Sequence, residues 1–161
     1  MGLLKVKGFS EAVGQNVKTI FLQVPKVVGW NLNLTVSIEK EELEKPCIYF
    51  ERLRCVNDDP VMLEKNCFPA QVVPGFTETE FINDSFFMTL SQKYLIEITG
   101  SEQEIQAERA DEKTAGLLQV DTGSPLLHIS VKFFTSNPIF HIYSELYCNT
   151  AMYPVGNKYH L

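Results

Sequence analysis

Between Pro46 and Val56 the chain mixes β-branched, aromatic and polar residues in near alternation. The turn formers Asn57-Asp58-Asp59-Pro60 follow, and a second apolar-polar run then continues to Phe68. This pattern predicts a β-hairpin. Side chains two apart on a strand share a face. Ile48, Phe50, Arg52 and Arg54 therefore project together, with Cys47, Tyr49, Glu51, Leu53 and Cys55 on the reverse. A two-residue Asp58-Asp59 turn lacks the residues that a primed turn favours, so a three-residue loop over Asn57, Asp58 and Asp59 is expected. That loop places Glu64 opposite Arg52 and Met62 opposite Arg54, whereas a one-residue slip would exchange faces.

The remaining pattern is that of an antiparallel α+β domain. Ser10 and Glu11 open a short helix ending near Gly14, and Val17 to Val27 is extended, with Pro25 favouring an edge strand. Val28 to Leu34 is one helical turn or a loop in which Trp30 plugs the core. Residues 38–45 carry four glutamates and read as a solvated turn or short helix. After a proline-flanked connector, Asn83-Asp84-Ser85 caps a helix over Phe86 to Leu95. Ile96 to Glu108 forms one or two strands, Asp111 to Leu118 a capped helix, and Leu126 to Phe134 and Ile139 to Cys148 a second hairpin. The expected fold class is α+β, an antiparallel β-sheet flanked by helices.

A chain of 161 residues suits a single domain, residues 1–161, burying roughly 70% of its unfolded surface. The net charge is −6 and the basic residues are scattered, which disfavours gripping nucleic acid through this domain. No apolar run approaches the ~18 residues of a membrane span, and the start lacks a signal-peptide core, so a cytoplasmic protein with reduced cysteines is expected. Cys47, Cys55, Cys67 and Cys148 show no zinc spacing, and neither a metal nor a cofactor is expected.

Two guanidiniums on a half-apolar face suit a phosphate or carboxylate, since each offers a planar fork of donors. An ordinary cross-strand Arg-Glu pair is the competing explanation. The helix ends at Ser10 and Ser85 add backbone donors, and either Phe86 or Phe87 is free to wall a pocket. On the last strand His141, Tyr143 and Glu145 share a polar-aromatic face, either the solvated side of the sheet or the lining of a cleft. Nucleophile elbows, phosphate loops and dinucleotide fingerprints are absent from the sequence, which argues against an enzyme.

The blocks Gly8-Phe-Ser-Glu11, Glu51-Arg-Leu-Arg through Glu64, Ser85-Phe-Phe, Gly116-Leu-Leu-Gln-Val-Asp-Thr-Gly-Ser-Pro-Leu-Leu127 and a final strand ending near Tyr153 resemble the effector-binding UTRA domain of GntR-type regulators of the HutC subfamily. The resemblance runs from about Gly8 to about Tyr153. It implies a chorismate-lyase-like fold in a cytoplasmic, homodimeric transcription factor. A small anionic metabolite, often a phosphorylated sugar, would control a winged helix-turn-helix domain preceding this one; that domain is absent from the chain. In members that bind sugar phosphates the phosphate-holding positions match Ser10, Arg52 with Arg54, and Ser85, while Glu64 matches a glutamate that meets a ligand hydroxyl or holds the arginine. The expected ligand-binding set is Ser10, Arg52, Arg54, Glu64, Ser85, Phe86, Phe87, His141, Tyr143, Glu145 and Tyr153. The chain departs from the pattern at Phe140, where many members show an acidic residue, and at Leu95, where a Tyr-Gly pair is usual. A chorismate-lyase-like enzyme, with Glu64 as acid, and a ligand-free dimerisation module are the alternatives.

Overall fold

The computed structural model describes residues 16–155, so the helix expected at Ser10 lies outside the described residues. Six strands form one antiparallel sheet: β1 (Val17–Val28), β2 (Cys47–Val56), β3 (Asp59–Pro69), β4 (Ile98–Arg109), β5 (Pro125–Thr135) and β6 (His141–Cys148). The spatial order is β1-β2-β3-β6-β5-β4. Residues 96–108 thus contribute one strand, and β1, with its Pro25, lies at an edge as expected. Helix α1 (Lys40–Leu43) is a single turn, while α2 (Phe86–Tyr94) and α3 (Glu112–Leu118) are the capped helices that the sequence predicts.

The β2–β3 hairpin reaches the expected pairing by a different route. Asn57 and Asp58 both adopt left-handed backbone, φ 51° and 68°, forming a two-residue turn with Val56 opposite Asp59. Both central φ values are positive, as in a type I′ turn, and short Asn and Asp side chains tolerate that conformation. The register then shifts between Arg54 and Cys55, leaving Val61 as an extra residue on β3. This bulge restores Arg52 opposite Glu64 and Arg54 opposite Met62.

Both faces of the central strands β2, β3 and β6 are covered. On the arginine face, α2 and the short 3-10 turns at Ala70–Val72, Phe76–Glu78 and Ile82–Asp84 lie over an aromatic core of Phe50, Phe68, Phe76, Phe86 and Phe140. Phe86, Thr89 and Leu90 are the buried residues of α2, a spacing that presents one helical stripe to the sheet. The rings meet mostly edge to face, with Phe50 and Phe86 centroids 5.0 Å apart and Phe68 and Phe76 5.1 Å apart, an arrangement favoured by the ring quadrupole. Leu95 ends α2 at φ 56°, the left-handed position where a glycine would be relaxed.

Residues 29–45 cross the opposite face. Trp30 packs edge-on against Tyr143 and donates its indole N–H to the Lys45 carbonyl at 2.8 Å. The expectation of a solvated 38–45 segment fails at Glu42, which is buried. Its carboxylate accepts from the His141 backbone N–H at 3.1 Å and from the Tyr143 hydroxyl, which compensates the desolvation of the charge.

Candidate functional site

The hairpin and the segment before α2 together build a buried charged cluster. Arg52 and Arg54 are each only 2% exposed. Arg52 grips Glu64 with both arms of its fork, Nε to Oε2 at 3.1 Å and Nη2 to Oε1 at 2.9 Å, while Arg54 Nη1 donates to Oε2 at 3.2 Å. The remaining arm of Arg52, Nη1, donates to the Asp84 backbone carbonyl at 3.0 Å. Its guanidinium carbon lies 5.2 Å from the Phe50 ring centroid and 5.5 Å from that of Phe81, within cation–π range. The fork is therefore fixed on every side by groups from β2, β3 and the loop entering α2.

A polar chain continues across the sheet. Asn66 Nδ2 donates to Glu64 Oε1 at 3.0 Å, and the Ser144 hydroxyl donates to Asn66 Oδ1 at 2.6 Å. Both residues are buried on the arginine face. Burial alone would raise the Glu64 carboxyl, but the two guanidiniums and the hydrogen bonds from Arg52 and Asn66 outweigh it and hold its pKa at about 2. Glu64 is thus a carboxylate at neutral pH. Burial also depresses the Arg54 pKa, opposed by Glu64, and an arginine stays charged regardless.

Ser85 is the N-cap of α2. Its Oγ accepts from the Met88 N–H at 3.2 Å, and Thr89 Oγ1 donates back to the Ser85 carbonyl at 2.7 Å. Asn83 and Asp84, just ahead, are both left-handed, φ 49° and 55°, which turns the Asp84 carbonyl to Arg52 and brings the start of α2 beside the cluster. We expect Ser85→Ala to destabilise the domain by about 1 kcal/mol through loss of the cap, read by urea denaturation; an unchanged midpoint would show that the cap is dispensable.

The sequence-predicted residues separate into two groups. Arg52, Arg54, Glu64 and Ser85 converge on one face. Phe86 joins the aromatic core beside them, whereas Phe87 is half-buried with its ring against Phe133, centroids 5.0 Å apart. Tyr153 packs against the cluster containing Met62 and Cys148. Ser10 lies outside the described residues.

His141, Tyr143 and Glu145 do not join them. Glu145 pairs with Lys65 and Tyr143 with Cys67, whereas Glu64 and Asn66 pair with Leu146 and Ser144. By strand alternation the odd residues of β6 face away from the arginines. Nor is their face solvated or open. Glu145 accepts from the Thr35 and Val36 N–H groups at 2.6 and 3.1 Å, from the Thr35 and Ser130 hydroxyls, and pairs with His128. Burial would raise its pKa, yet these partners lower it. His141 and Tyr143 are spent on Glu42. Those side chains fasten residues 29–45 to the sheet.

Sequence reasoning missed Asn66 and Ser144. Asn66 follows Glu64 by two and so shares its face, which was visible in the alternation; Ser144 required knowing that β3 pairs with β6. A cleft of ≈ 450 Å³ opens beside the cluster, lined in part by Phe21, Pro25, Glu78, Glu80, Phe81 and Asp84. Phe81 and Asp84 separate it from Arg52, which touches both. Phe140, by contrast, is wholly buried against Phe68.

Residues 40–154 match the family model described as the UTRA domain. The HTH-type transcriptional regulator GmuR of Bacillus subtilis (strain 168) is 27% identical over 99 residues, 62% of this chain and 41% of that protein. The chain therefore spans less than half the length of this relative. Among solved structures, the effector domain of PhnF from Mycobacterium smegmatis superposes with a TM-score of 0.79 at 19% identity, covering 99% of each chain. The C-terminal domain of the histidine utilization repressor from Pseudomonas syringae pv. tomato str. DC3000 gives 0.70 at 20% identity, covering 90% of this chain and 99% of that one. The six-stranded antiparallel sheet has the chorismate-lyase-like fold of these solved domains, and the family match over most of its length establishes that the chain belongs to the UTRA domain family.

Proposed function

We propose that this domain senses a small anionic, phosphorylated sugar-like metabolite and thereby controls DNA binding by a winged helix-turn-helix domain preceding it in a cytoplasmic, homodimeric regulator. The observation that carries the reading is the burial of two guanidiniums on one sheet face, sharing Glu64, beside the N-terminus of α2. An incoming anion would take over Arg52 donors now committed to Glu64 and the Asp84 carbonyl, and the positive end of the α2 dipole would add to its hold. The neighbouring cleft suits the other half of such a ligand. Its carboxylates and threonines accept from or donate to hydroxyls, while Phe21, Phe81 and Pro25 offer apolar walls. For the dimer, β1 supplies an edge that pairs only with β2 among the described residues, and Ile20, Leu22, Val24 and Val27 are exposed on it.

Control requires different affinity for two arrangements of the domain. The segment from Phe76 to Phe87 is the element we assign to that change, because Arg52 holds it through the Asp84 carbonyl. The enzyme alternative loses support from Glu64 itself, which is fully ionised at neutral pH and so has no proton to give. The test is a thermal-shift and hydrogen-exchange series with sugar phosphates, inorganic phosphate and chorismate. We expect a sugar phosphate at 100 times its Kd to stabilise the domain by about 2.7 kcal/mol and to slow exchange over residues 76–87. Chorismate turnover, or silence across the whole series, would overturn the reading.

A further inference from the structure

On β1, Thr19 lies directly across from Arg54 and Phe21 across from Arg52. Side chains at paired antiparallel positions stand on the same face with Cβ atoms roughly 4.5–5.5 Å apart. Thr19 therefore belongs to the arginine face, although β1 contributes none of the residues assigned above to anion binding. Its Oγ1 is buried and makes no hydrogen bond among the described residues.

Folding does not account for that hydroxyl. A buried polar atom without a partner weakens the folded state, and valine would fill the same space with equal strand propensity and no such penalty. Nor do its neighbours use it. Arg54 is donor-only, and Glu64, the carboxylate of this cluster, is occupied by Arg52, Arg54 and Asn66. The hydroxyl proton thus has no acceptor among the described residues, and an incoming anion would supply one.

We propose that Thr19 is an effector-contacting residue, its Oγ1–H donating to an oxygen of the anion that Arg52 and Arg54 attract. This deepens the anion-sensing reading and rests on it. A hydroxyl beside two guanidiniums adds a donor to a tetrahedral phosphate without adding charge, and its short reach requires the anion to sit on the β1 side of Arg54.

The experiment titrates the 161-residue chain with inorganic phosphate and with hexose phosphates, followed by amide NMR, in the parent chain and in Thr19→Val, Thr19→Ser and Arg52→Ala. Unfolding temperatures without added anion are recorded alongside. Thr19→Val is expected to unfold at the same or a higher temperature, yet to bind the phosphate probes about tenfold more weakly, the usual scale for a hydrogen bond to a charged group. Thr19→Ser, which keeps the hydroxyl, should bind like the parent. Parent-like affinity in Thr19→Val overturns the proposal, and so does a markedly lower unfolding temperature, which would assign the hydroxyl a structural role. If Arg52→Ala also binds like the parent, or if the parent binds no phosphate probe, the anion-sensing reading itself falls.

Discussion

Arg52→Ala is expected to abolish effector binding and to lower stability by about 3–5 kcal/mol, the usual consequence of removing one member of a buried ion pair. The substitution removes both arms that hold Glu64, the donor to the Asp84 carbonyl, and a cation packed between Phe50 and Phe81. Glu64 is left with Arg54 and Asn66, and the Asp84 carbonyl loses the donor for which its left-handed backbone positions it. Arg52→Lys retains charge but not the planar fork, so it should recover part of the stability and little of the affinity. Urea denaturation and titration calorimetry with a sugar phosphate separate the two effects. Undiminished affinity in the alanine variant would refute the assignment of Arg52.

The second large effect is acid lability. Glu64 has a folded pKa of about 2 against an ordinary value of 4.5. A depressed carboxyl contributes stability that is fully present above its unfolded pKa and is lost as pH falls toward the folded one. The window is therefore pH 4.5 down to 2, and the gap corresponds to roughly 3 kcal/mol. Glu145, also depressed, adds to the loss in the same direction. Urea midpoints measured from pH 6 to 2.5 should fall steeply in the parent chain and less steeply in Glu64→Gln, with Glu145 among the carboxylates that contribute to the remaining slope. Parallel profiles would show that the Arg52-Glu64-Arg54 cluster contributes no such pH-dependent stability.

Local patterns carried the hairpin, the caps and the strands of this domain because each is set by residues close in sequence. Strand alternation was enough to put Arg52 and Arg54 on one face, and Ser85 and Asp111 both cap their helices as their residue types imply. Long-range pairing was not legible. Whether the even or odd residues of β6 meet the arginines depends on its register with β3, a strand almost eighty positions earlier, and no local signal fixes it. Glu42 misled for a related reason. Among four nearby glutamates it looks like solvated charge, and only its contact with His141 and Tyr143, about a hundred residues later, makes it a buried fastener.

The hairpin turn illustrates how such ambiguity can be harmless. A two-residue turn with an added residue at Val61 and a three-residue turn without it bring the same arginine to the same glutamate. Drift in the chemistry of this bend is thus invisible to the residues beyond it, provided that any change in length is matched by gain or loss of the bulge. The tip of the hairpin is thereby uncoupled from the guanidinium pair that precedes it.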